Sequence, residues 1–398
     1  CGIYAEKIMI FEIVGTLIFL FILFLLYFVY LRHSHANHGN VGPYLIKNPR
    51  QNYGYRVLFK PKTGTCTLFL RKVRKNNAKG WVECKESGMC KKTLEFIIPE
   101  LEKNEVYEYC ITDRNRKKQY ARKRFKSFPE MNDSKKFSFI AISDVQIQEK
   151  YAVFQHWFKS IISRKAPDFI INCGDIVSSL SELKLNTFFN MFKNVFASIP
   201  VFSVIGNHDF GKYGIILREE YGFIPNRNKR YYYWFNYGDT YFFMLSTNYL
   251  IDSEEFKIQT NWLEKELDNI NKIAKNIIVS FHVPPFGPPY NPDRPEAMVL
   301  EEELLREKWV PLFEKYKVRL VISGHKHVYC REWRSGTWYV ITGSFQGIRK
   351  YPIWEREDKV CLNKHAIAHV LVDETSIKIK GINLFGKTFD EYSLDLCD

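Results

Sequence analysis

Residues 318–329 read VRLVISGHKHVY, an apolar run followed by a glycine and two histidines. The apolar, partly β-branched composition of residues 318–323 predicts a short buried strand. Gly324 allows the chain to turn sharply where that strand ends. The stretch therefore predicts that His325 and His327 stand at the carboxyl end of a strand, where α/β sheets carry their binding sites.

Four further apolar runs end in polar residues of similar kinds. FIAIS (139–143) precedes Asp144, FIINC (169–173) precedes Gly174 and Asp175, FSVI (202–205) precedes GNHD (206–209), and IIVSF (277–281) precedes His282. A single aspartate in such a place often only caps a helix. The whole series offers a mixed set of oxygen and nitrogen donors, which suits divalent transition metals. We therefore predict a metal site at the strand ends.

The domain organisation follows from a change of pattern near Lys136. After it, strands alternate with helices, and this alternation predicts an α/β sheet. Before it, short runs of alternating polar and apolar residues predict a small β-sandwich of immunoglobulin or fibronectin type. The predicted order is an N-terminal tail (1–12), a membrane anchor (13–31), a linker (32–42), the β-sandwich (43–128), a second linker (129–136) and the α/β domain (137–398).

The segment from Ile13 to Leu31 contains no charged residue and has about the length needed to cross the hydrocarbon core of a bilayer. No small-residue cleavage site follows it closely, which favours a retained signal anchor over a cleaved signal peptide. The sequence thus predicts a single-pass membrane protein with a transmembrane helix near its N-terminal end.

Two signals on the orientation of this anchor disagree. Lys7 precedes the anchor and three basic residues follow it within 32–50, so the positive-inside rule favours a cytosolic domain. The short loop CKESGMC (84–90) could carry a disulfide, and NDS at Asn132 is a glycosylation sequon. Because the cysteines and the sequon favour an oxidising compartment, we expect the catalytic domain to be luminal or extracellular.

Basic residues are concentrated in one segment. The formal net charge is +14, and residues 113–126 (DRNRKKQYARKRFK) carry eight Lys and Arg against one Asp. Two interpretations remain open, an anionic partner such as lipid headgroups or an acidic substrate, and a solvated hairpin at a domain edge. Because zinc-finger spacing and basic–aromatic interleaving are both absent from the sequence, we expect no nucleic-acid partner.

The series of strand-end motifs resembles that of the calcineurin-like metallophosphoesterases over residues 138 to about 345. SGHKHVY (323–329) and LREKWVPLFEKY (305–316) most resemble the purple acid phosphatase branch, and GPYLIKNP (42–49) resembles the start of that branch's fibronectin-like domain. The resemblance implies a two-sheet α/β/β/α sandwich after the small β domain.

The resemblance also implies roles for the strand-end residues. Asp175 would bridge two divalent ions, one held also by Asp144 and His327 and the other by Asn207, His282 and His325. His208 would contact the phosphate and protonate the leaving group, with Asp209 orienting its ring. Two such ions activate a shared water, clamp the phosphoryl oxygens and offset the developing charge, so that water attacks directly.

The sequence departs from the family pattern in three places. Gln146 stands where many members have a metal-binding histidine, and its carbonyl oxygen would favour Mn, Fe(II) or Mg at that ion. Ser178 stands where the purple enzymes have an iron-binding tyrosine, so we expect no purple colour. HVPPFGPPYNPDRPEAM (282–298) has no histidine after His282, and Tyr290 and Arg294 are the available substitutes for substrate contacts.

The leading hypothesis is a membrane-anchored, two-metal phosphoester hydrolase that acts as an acid phosphomonoesterase on small-molecule or protein substrates, with Mn, Fe, Zn and Mg as candidate ions. A phosphodiesterase of nucleotides or lipids is an alternative, because the same core serves both reactions. A non-catalytic surface binding protein with a degraded phosphoesterase domain is a third possibility. Gln146 alone favours the third, whereas the intact GNHD and GHKH motifs oppose it.

Overall fold

The structure is a computed structural model that describes residues 13–27, 29, 39–47, 54–73, 80–87, 92–98, 100–130, 136–148, 152–179, 181–210, 215–224, 230–248, 253–288 and 297–396. Several sequence predictions lie outside these ranges. They concern the tail 1–12, most of the linkers 32–42 and 129–136, the partner Cys90 of the suggested disulfide, the sequon at Asn132, and the substrate candidates Tyr290 and Arg294.

The prediction of a membrane anchor over 13–31 is wrong for the described residues. Residues 13–27 form a helix, here α1. Within the described part of the chain, no helix is both long and apolar enough to span a bilayer. The predicted localisation as a single-pass membrane protein with a luminal or extracellular domain is therefore withdrawn.

Two antiparallel sheets follow in the first half of the chain. Their strands are β1 (Val41–Lys47), β2 (Tyr55–Lys60), β3 (Cys66–Lys72), β4 (Val82–Cys84), β5 (Leu94–Ile98), β6 (Val106–Asp113) and β7 (Gln119–Lys126). One sheet has the order β1-β2-β5 and the other β4-β3-β6-β7. Val57 and Leu68 pack between the sheets, whereas Tyr44 and Leu58 face the α/β part of the molecule.

The basic segment 113–126 contributes the turn and strand β7 of a hairpin. Glu108 on β6 is buried and accepts hydrogen bonds from Arg71, Arg122 and Arg124. Because these guanidiniums hydrogen-bond to one carboxylate, the pKa of Glu108 falls to about 2. Part of the positive charge of this region is thus compensated within the sheet.

The rest of the chain forms two mixed sheets with helices outside them. The strands are β8 (Lys136–Ile142), β9 (Phe169–Asn172), β10 (Val201–Ser203), β11 (Tyr233–Tyr237), β12 (Thr240–Met244), β13 (Asn276–Ser280), β14 (Leu320–Ser323), β15 (Tyr329–Arg334), β16 (Thr337–Thr342), β17 (Trp354–Glu355), β18 (Lys359–Leu362), β19 (Ile367–Asp373), β20 (Ser376–Ile382) and β21 (Thr388–Asp395). The helices are α2 (Ala152–Lys165), α3 (Glu182–Phe196), α4 (Glu254–Ile270), α5 (Ala297–Lys308) and α6 (Val310–Lys315), with a π-helical turn at Ile216–Glu220.

The layers are set by the alternation of apolar side chains along the strands. The sheets have the orders β10-β9-β8-β19-β20-β21 and β11-β12-β13-β14-β16-β15-β18-β17. On β8, Phe139 and Ala141 pack between the two sheets, whereas Ile140 and Ile142 pack against α2 and α3. Helices α4 to α6 cover the other sheet through a separate cluster that includes Trp309. The predicted α/β sandwich is confirmed for the described elements.

The topology brings the motif-bearing loops together. Strands β8, β9 and β10 are parallel in one sheet, and β12, β13, β14 and β16 are parallel in the other. Parallel strands end at the same edge of a sheet, so the loops after β8, β9, β10, β13, β14 and β16 lie at neighbouring edges.

Candidate metal centre

The backbone is unusual at the predicted ligands. Asp144, Gln146, Asp175, His325 and His327 all have positive φ, between 38° and 70°. Non-glycine residues rarely adopt this region, and such strain is typical of functional sites. The strand ends therefore hold these five side chains in positions that ordinary turns would not give.

Two glycines of the motifs allow the loops to approach each other. A Cβ on Gly206 would lie 2.0 Å from Asp175 Oδ1, and one on Gly324 would lie 1.7 Å from Ser143 Oγ. No side chain fits at either distance. Close packing around the predicted ligands therefore requires the glycine of GNHD and the glycine of GHKH.

Three donors gather in what we call the asparagine half, which comprises Asn207, His282 and His325. Asn207 Oδ1 lies 3.1 Å from His282 Nε2 and 3.0 Å from His325 Nδ1, and the two ring nitrogens are 3.2 Å apart. Metal–ligand bonds of about 2.1 Å place neighbouring ligand atoms about 3 Å apart. The spacing of this donor set therefore fits a divalent ion.

The tautomer of His282 supports the same conclusion. Its Nδ1 donates to the carbonyl of Cys173 at 2.8 Å, which leaves Nε2 facing Asn207 and Asp175. Burial opposes protonation of this ring, but the Asp175 carboxylate outweighs it and raises the pKa of His282 to about 9. Nε2 is thus the position at which a proton or a metal ion offsets the charge of Asp175.

Asp175 lies between the asparagine half and the remaining ligands. Its Oδ2 is 3.3 Å from His282 Nε2, and its Oδ1 accepts the backbone N–H of His208 at 2.9 Å. Ligand atoms of Asp144, Asp175 and His282 all lie within 4.8 Å of one another, and all three residues are buried. The structure therefore brings together the carboxylates that the sequence placed on separate strands.

The glutamine half comprises Asp144, Gln146 and His327. His327 Nε2 is 3.1 Å from Asp144 Oδ1, and the other oxygen of Asp144 accepts the backbone N–H of His325 at 2.8 Å. Burial opposes ionisation of Asp144, but nearby His327 and His282 hold its pKa below the ordinary value. The carboxylate is thus kept charged in a buried position, which suits a metal ligand.

Gln146 takes part in a chain of carboxamides. Its Nε2 donates to Asp175 Oδ2 at 2.7 Å, and its Oε1 accepts from Gln346 Nε2. Gln346 Oε1 in turn accepts from Gln148 Nε2 at 2.8 Å. The side chain of Gln146 lies at the centre, as predicted, but its carbonyl oxygen is occupied by a hydrogen bond. Ligation by Gln146 stays a prediction.

His208 and Asp209 occupy different environments. The side chain of His208 is 41% exposed, with Nε2 3.9 Å from Asp175 Oδ2. Asp209 is buried, and its carboxylate accepts backbone N–H groups of Asp175, Ile176 and Gly206. Burial and the nearby Asp175 raise the pKa of Asp209 to about 7. The hydrogen bonds of Asp209 therefore go to the loop backbone, whereas its expected contact with the His208 ring is not among them.

The sequence analysis missed the loop after β16. We call residues 343–350 the site loop. Phe345 N and Ser344 Oγ donate to the carbonyl of Asp144 at 3.2 and 3.1 Å, and His327 Nδ1 bonds to the carbonyl of Gly347 at 3.2 Å. The loop thus supports both outer ligands of the glutamine half.

Two further partners of the GHKH segment were also missed. Lys326 is fully buried and pairs with Glu302 on α5 at 2.5 Å. Cys330 forms a disulfide with Cys361 across strands β15 and β18. Cys173 is buried and free. The first pair joins the GHKH loop to an earlier helix, and the second joins the strand after it to a later strand.

Comparisons with known proteins agree with this arrangement. Residues 137–329 match the family model of the calcineurin-like phosphoesterases. Purple acid phosphatase 23 of Arabidopsis thaliana is 26% identical over 143 residues, a match that covers 34% of this chain and 30% of that protein. The chain thus spans about a third of this relative's length.

Solved structures show the same fold at low identity. Purple acid phosphatase PPD1 from yellow lupin (Lupinus luteus) seeds has a TM-score of 0.74 at 15% identity, with 90% of this chain and 74% of that chain covered. PhoD has a TM-score of 0.64 at 11% identity, with 91% and 89% covered. GAP50, the anchor in the inner membrane complex of Plasmodium, has a TM-score of 0.55 at 18% identity, with 67% and 90% covered.

The family match and the donor set coincide, because residues 137–329 include every predicted ligand from Asp144 to His327. The fold of the lupin enzyme extends the likeness to most of the chain. Residues 137–329 therefore carry a calcineurin-like phosphoesterase domain, and the chain is similar in fold to the purple acid phosphatases.

Proposed function

We propose that the protein is a two-metal-dependent phosphomonoesterase. The observation that carries this proposal is the convergence of oxygen and nitrogen donors from both sheets on Asp175, with His282 Nε2 3.3 Å from its Oδ2. Mixed carboxylate, amide and imidazole donors suit Mn, Fe, Zn or Mg. The phosphorylated substrate can be a small molecule or a protein.

Each predicted ligand has a proposed place. Asp144 and His327, with Gln146 as a further candidate, would hold one ion. Asn207, His282 and His325 would hold the other, and Asp175 would be shared by the two. Two bound divalent ions would act as Lewis acids on the phosphoryl oxygens and lower the pKa of water. All of these residues except Asn207, which is exposed, are buried, and burial strengthens the charge interactions among them.

His208 is the proposed acid for the leaving group. Its backbone is fixed by the hydrogen bond to Asp175 Oδ1, while its ring stays partly exposed toward the place where substrate must enter. An imidazole can donate the proton that a leaving alkoxide needs near neutral pH. Asp209 is proposed to position His208 through the backbone of residues 206–209, since its carboxylate binds Gly206 N at 3.1 Å.

The domain boundaries are part of the proposal. The two antiparallel sheets from β1 to β7 support an immunoglobulin- or fibronectin-like unit at 43–128, and β8 to β21 support a catalytic unit at 137–398. Strand β1 begins at Val41 and β8 at Lys136, close to those limits.

A non-catalytic binding protein is the competing function, and one observation favours it. The carbonyl oxygen of Gln146, which would have to bind an ion, accepts a hydrogen bond from Gln346. A degraded centre of this kind would hold one ion or none.

The test is hydrolysis of p-nitrophenyl phosphate by protein stripped of metal and then reloaded with Mn, Zn, Fe or Mg. Metal-dependent turnover is expected, and His325→Ala should lower it by more than about 100-fold, because even residues behind the ligands are worth 10–100-fold. His156→Ala is the matched control, since His156 lies on α2 and contacts Lys159. Folded protein that binds at most one ion and turns over nothing would support the binding-protein alternative.

A further inference from the structure

Arg349 lies on the site loop, close to the candidate ligands. Its backbone N–H bonds to the carbonyl of His327 at 3.4 Å. Two residues earlier, Gly347 bonds to the ring of the same histidine. These contacts attach residues 347 and 349 to His327 of the glutamine half. The backbone of Arg349 therefore has a fixed position at the edge of the metal centre.

The guanidinium of Arg349 has an unsatisfied donor. Its Nη1 is buried and makes no hydrogen bond within the described residues. No carboxylate of those residues lies within ion-pair distance of it, whereas neighbouring Lys326 is neutralised by Glu302. A buried guanidinium N–H without an acceptor is costly. An anion supplied from outside the chain would satisfy it.

Arg349 lies beside the GHKH segment, because its backbone N–H bonds to the carbonyl of His327 in that segment. The stretch 282–298 offers no histidine after His282 for binding substrate oxygens, so a cation at this edge fills a role that the sequence leaves open.

We propose that Arg349 binds an unesterified oxygen of the substrate phosphate and thereby selects phosphomonoesters over phosphodiesters. This inference rests on the proposed function of the same site. A monoester has three unesterified oxygens and about two negative charges above its second pKa near 6, whereas a diester has two oxygens and one charge. If two oxygens face the ligand cluster, only a monoester has one left for the planar guanidinium.

The experiment compares kcat/KM for p-nitrophenyl phosphate and bis-p-nitrophenyl phosphate in metal-loaded protein. Arg349→Ala should lower the monoester value by about 10–100-fold and the diester value by less than about threefold, since losing one hydrogen bond to a charged oxygen has an effect of this size. Arg349→Lys should recover part of the monoester rate, because it keeps the charge but loses the planar fork. Arg356→Ala, an exposed arginine beside Asp358 in the same part of the chain, should change neither value.

An equal loss of kcat/KM with both substrates in Arg349→Ala, accompanied by a lower Tm, would mean that Arg349 only stabilises the site loop. The inference would then be overturned. If wild-type protein hydrolyses neither substrate, the proposed function fails on its own. The inference is then decided by calorimetric titration of inorganic phosphate into metal-loaded protein. Binding at least tenfold weaker in Arg349→Ala supports it, and equal binding rejects it.

Discussion

The two halves of the metal centre are built on different principles. In the asparagine half, three donor atoms lie 3.0–3.2 Å from one another and Nδ1 of His282 is held by the Cys173 carbonyl. In the glutamine half, Gln146 Nε2 donates to Asp175 Oδ2, and Gln146 Oε1 accepts from Gln346. Ligand atoms are hydrogen-bonded in both halves. The first half gathers three of them at one point, whereas the second holds the carboxamide of Gln146 between Asp175 and Gln346.

This difference has a consequence for metal binding. An ion entering the asparagine half finds donors at the required spacing. It has to displace the proton that the raised pKa of His282 places on that ring, but the side chains need little movement. An ion entering the glutamine half must compete with the hydrogen bond between Gln146 and Asp175. We therefore expect stepwise binding, with the asparagine half filled first and the glutamine half filled more weakly.

The largest effect should come from the residue that both halves share. Asp175→Asn should lower turnover by more than about 100-fold and reduce the metal content by at least one ion per chain, because the bridging carboxylate is lost to both halves. Rate measurements and elemental analysis of the same sample check this. Asp168→Asn is the control, since Asp168 precedes the same strand β9 at its opposite end and bonds Ser138 N and Tyr237. Two ions retained at full occupancy in Asp175→Asn would disprove a bridging role.

The candidate ligands at the strand ends illustrate what sequence patterns can predict. Asp144, Asp175, His282 and His325 each come after a short apolar run, and parallel strands bring such positions to one edge. Local pattern and the rules of sheet topology are enough to group them. The long apolar stretch 13–31 shows the limit of the same approach, since hydropathy predicted a membrane span and no helix among the described residues is both long and apolar enough to make one.

The parts that could not be predicted depend on distant pairings. The site loop has neither histidine nor carboxylate, and its position is set by β16, which lies parallel beside β14. The end of the apolar run TWYVIT (337–342) was the one sequence signal that indicated this loop. The pairing of Lys326 could not be predicted, because its partner Glu302 lies on a helix earlier in the chain. The pairing of Cys330 with Cys361 depends on the register of β15 and β18, which the sequence does not reveal.

The second-largest effect should distinguish the metal affinity of the asparagine half from that of the glutamine half. Asp209 accepts three backbone N–H groups from the loops that carry Asp175 and Asn207. Asp209→Asn would turn an amide NH₂ toward some of those donors, so the free energy of unfolding should fall by about 1–3 kcal/mol. Metal affinity of the asparagine half should fall by about 10–100-fold, which calorimetric titration with Mn and thermal unfolding can follow together. A matching loss in both halves would show that Asp209 supports the whole centre, and the distinction between the halves would be weaker.

The smallest effect tests the glutamine half directly. Gln146→His replaces a carboxamide that hydrogen-bonds Asp175 with an imidazole that can bind an ion, so the weaker of the two affinities should rise by about tenfold while the tighter one stays unchanged. Gln346→Leu is the companion variant. It removes the hydrogen bond to the carbonyl of Gln146 and should raise the weaker affinity by a smaller factor. Titration with Mn resolves both steps. If Gln146→His strengthens the tighter step instead, the order of filling argued from the donor spacing is reversed, and the carboxamide chain does not weaken its half.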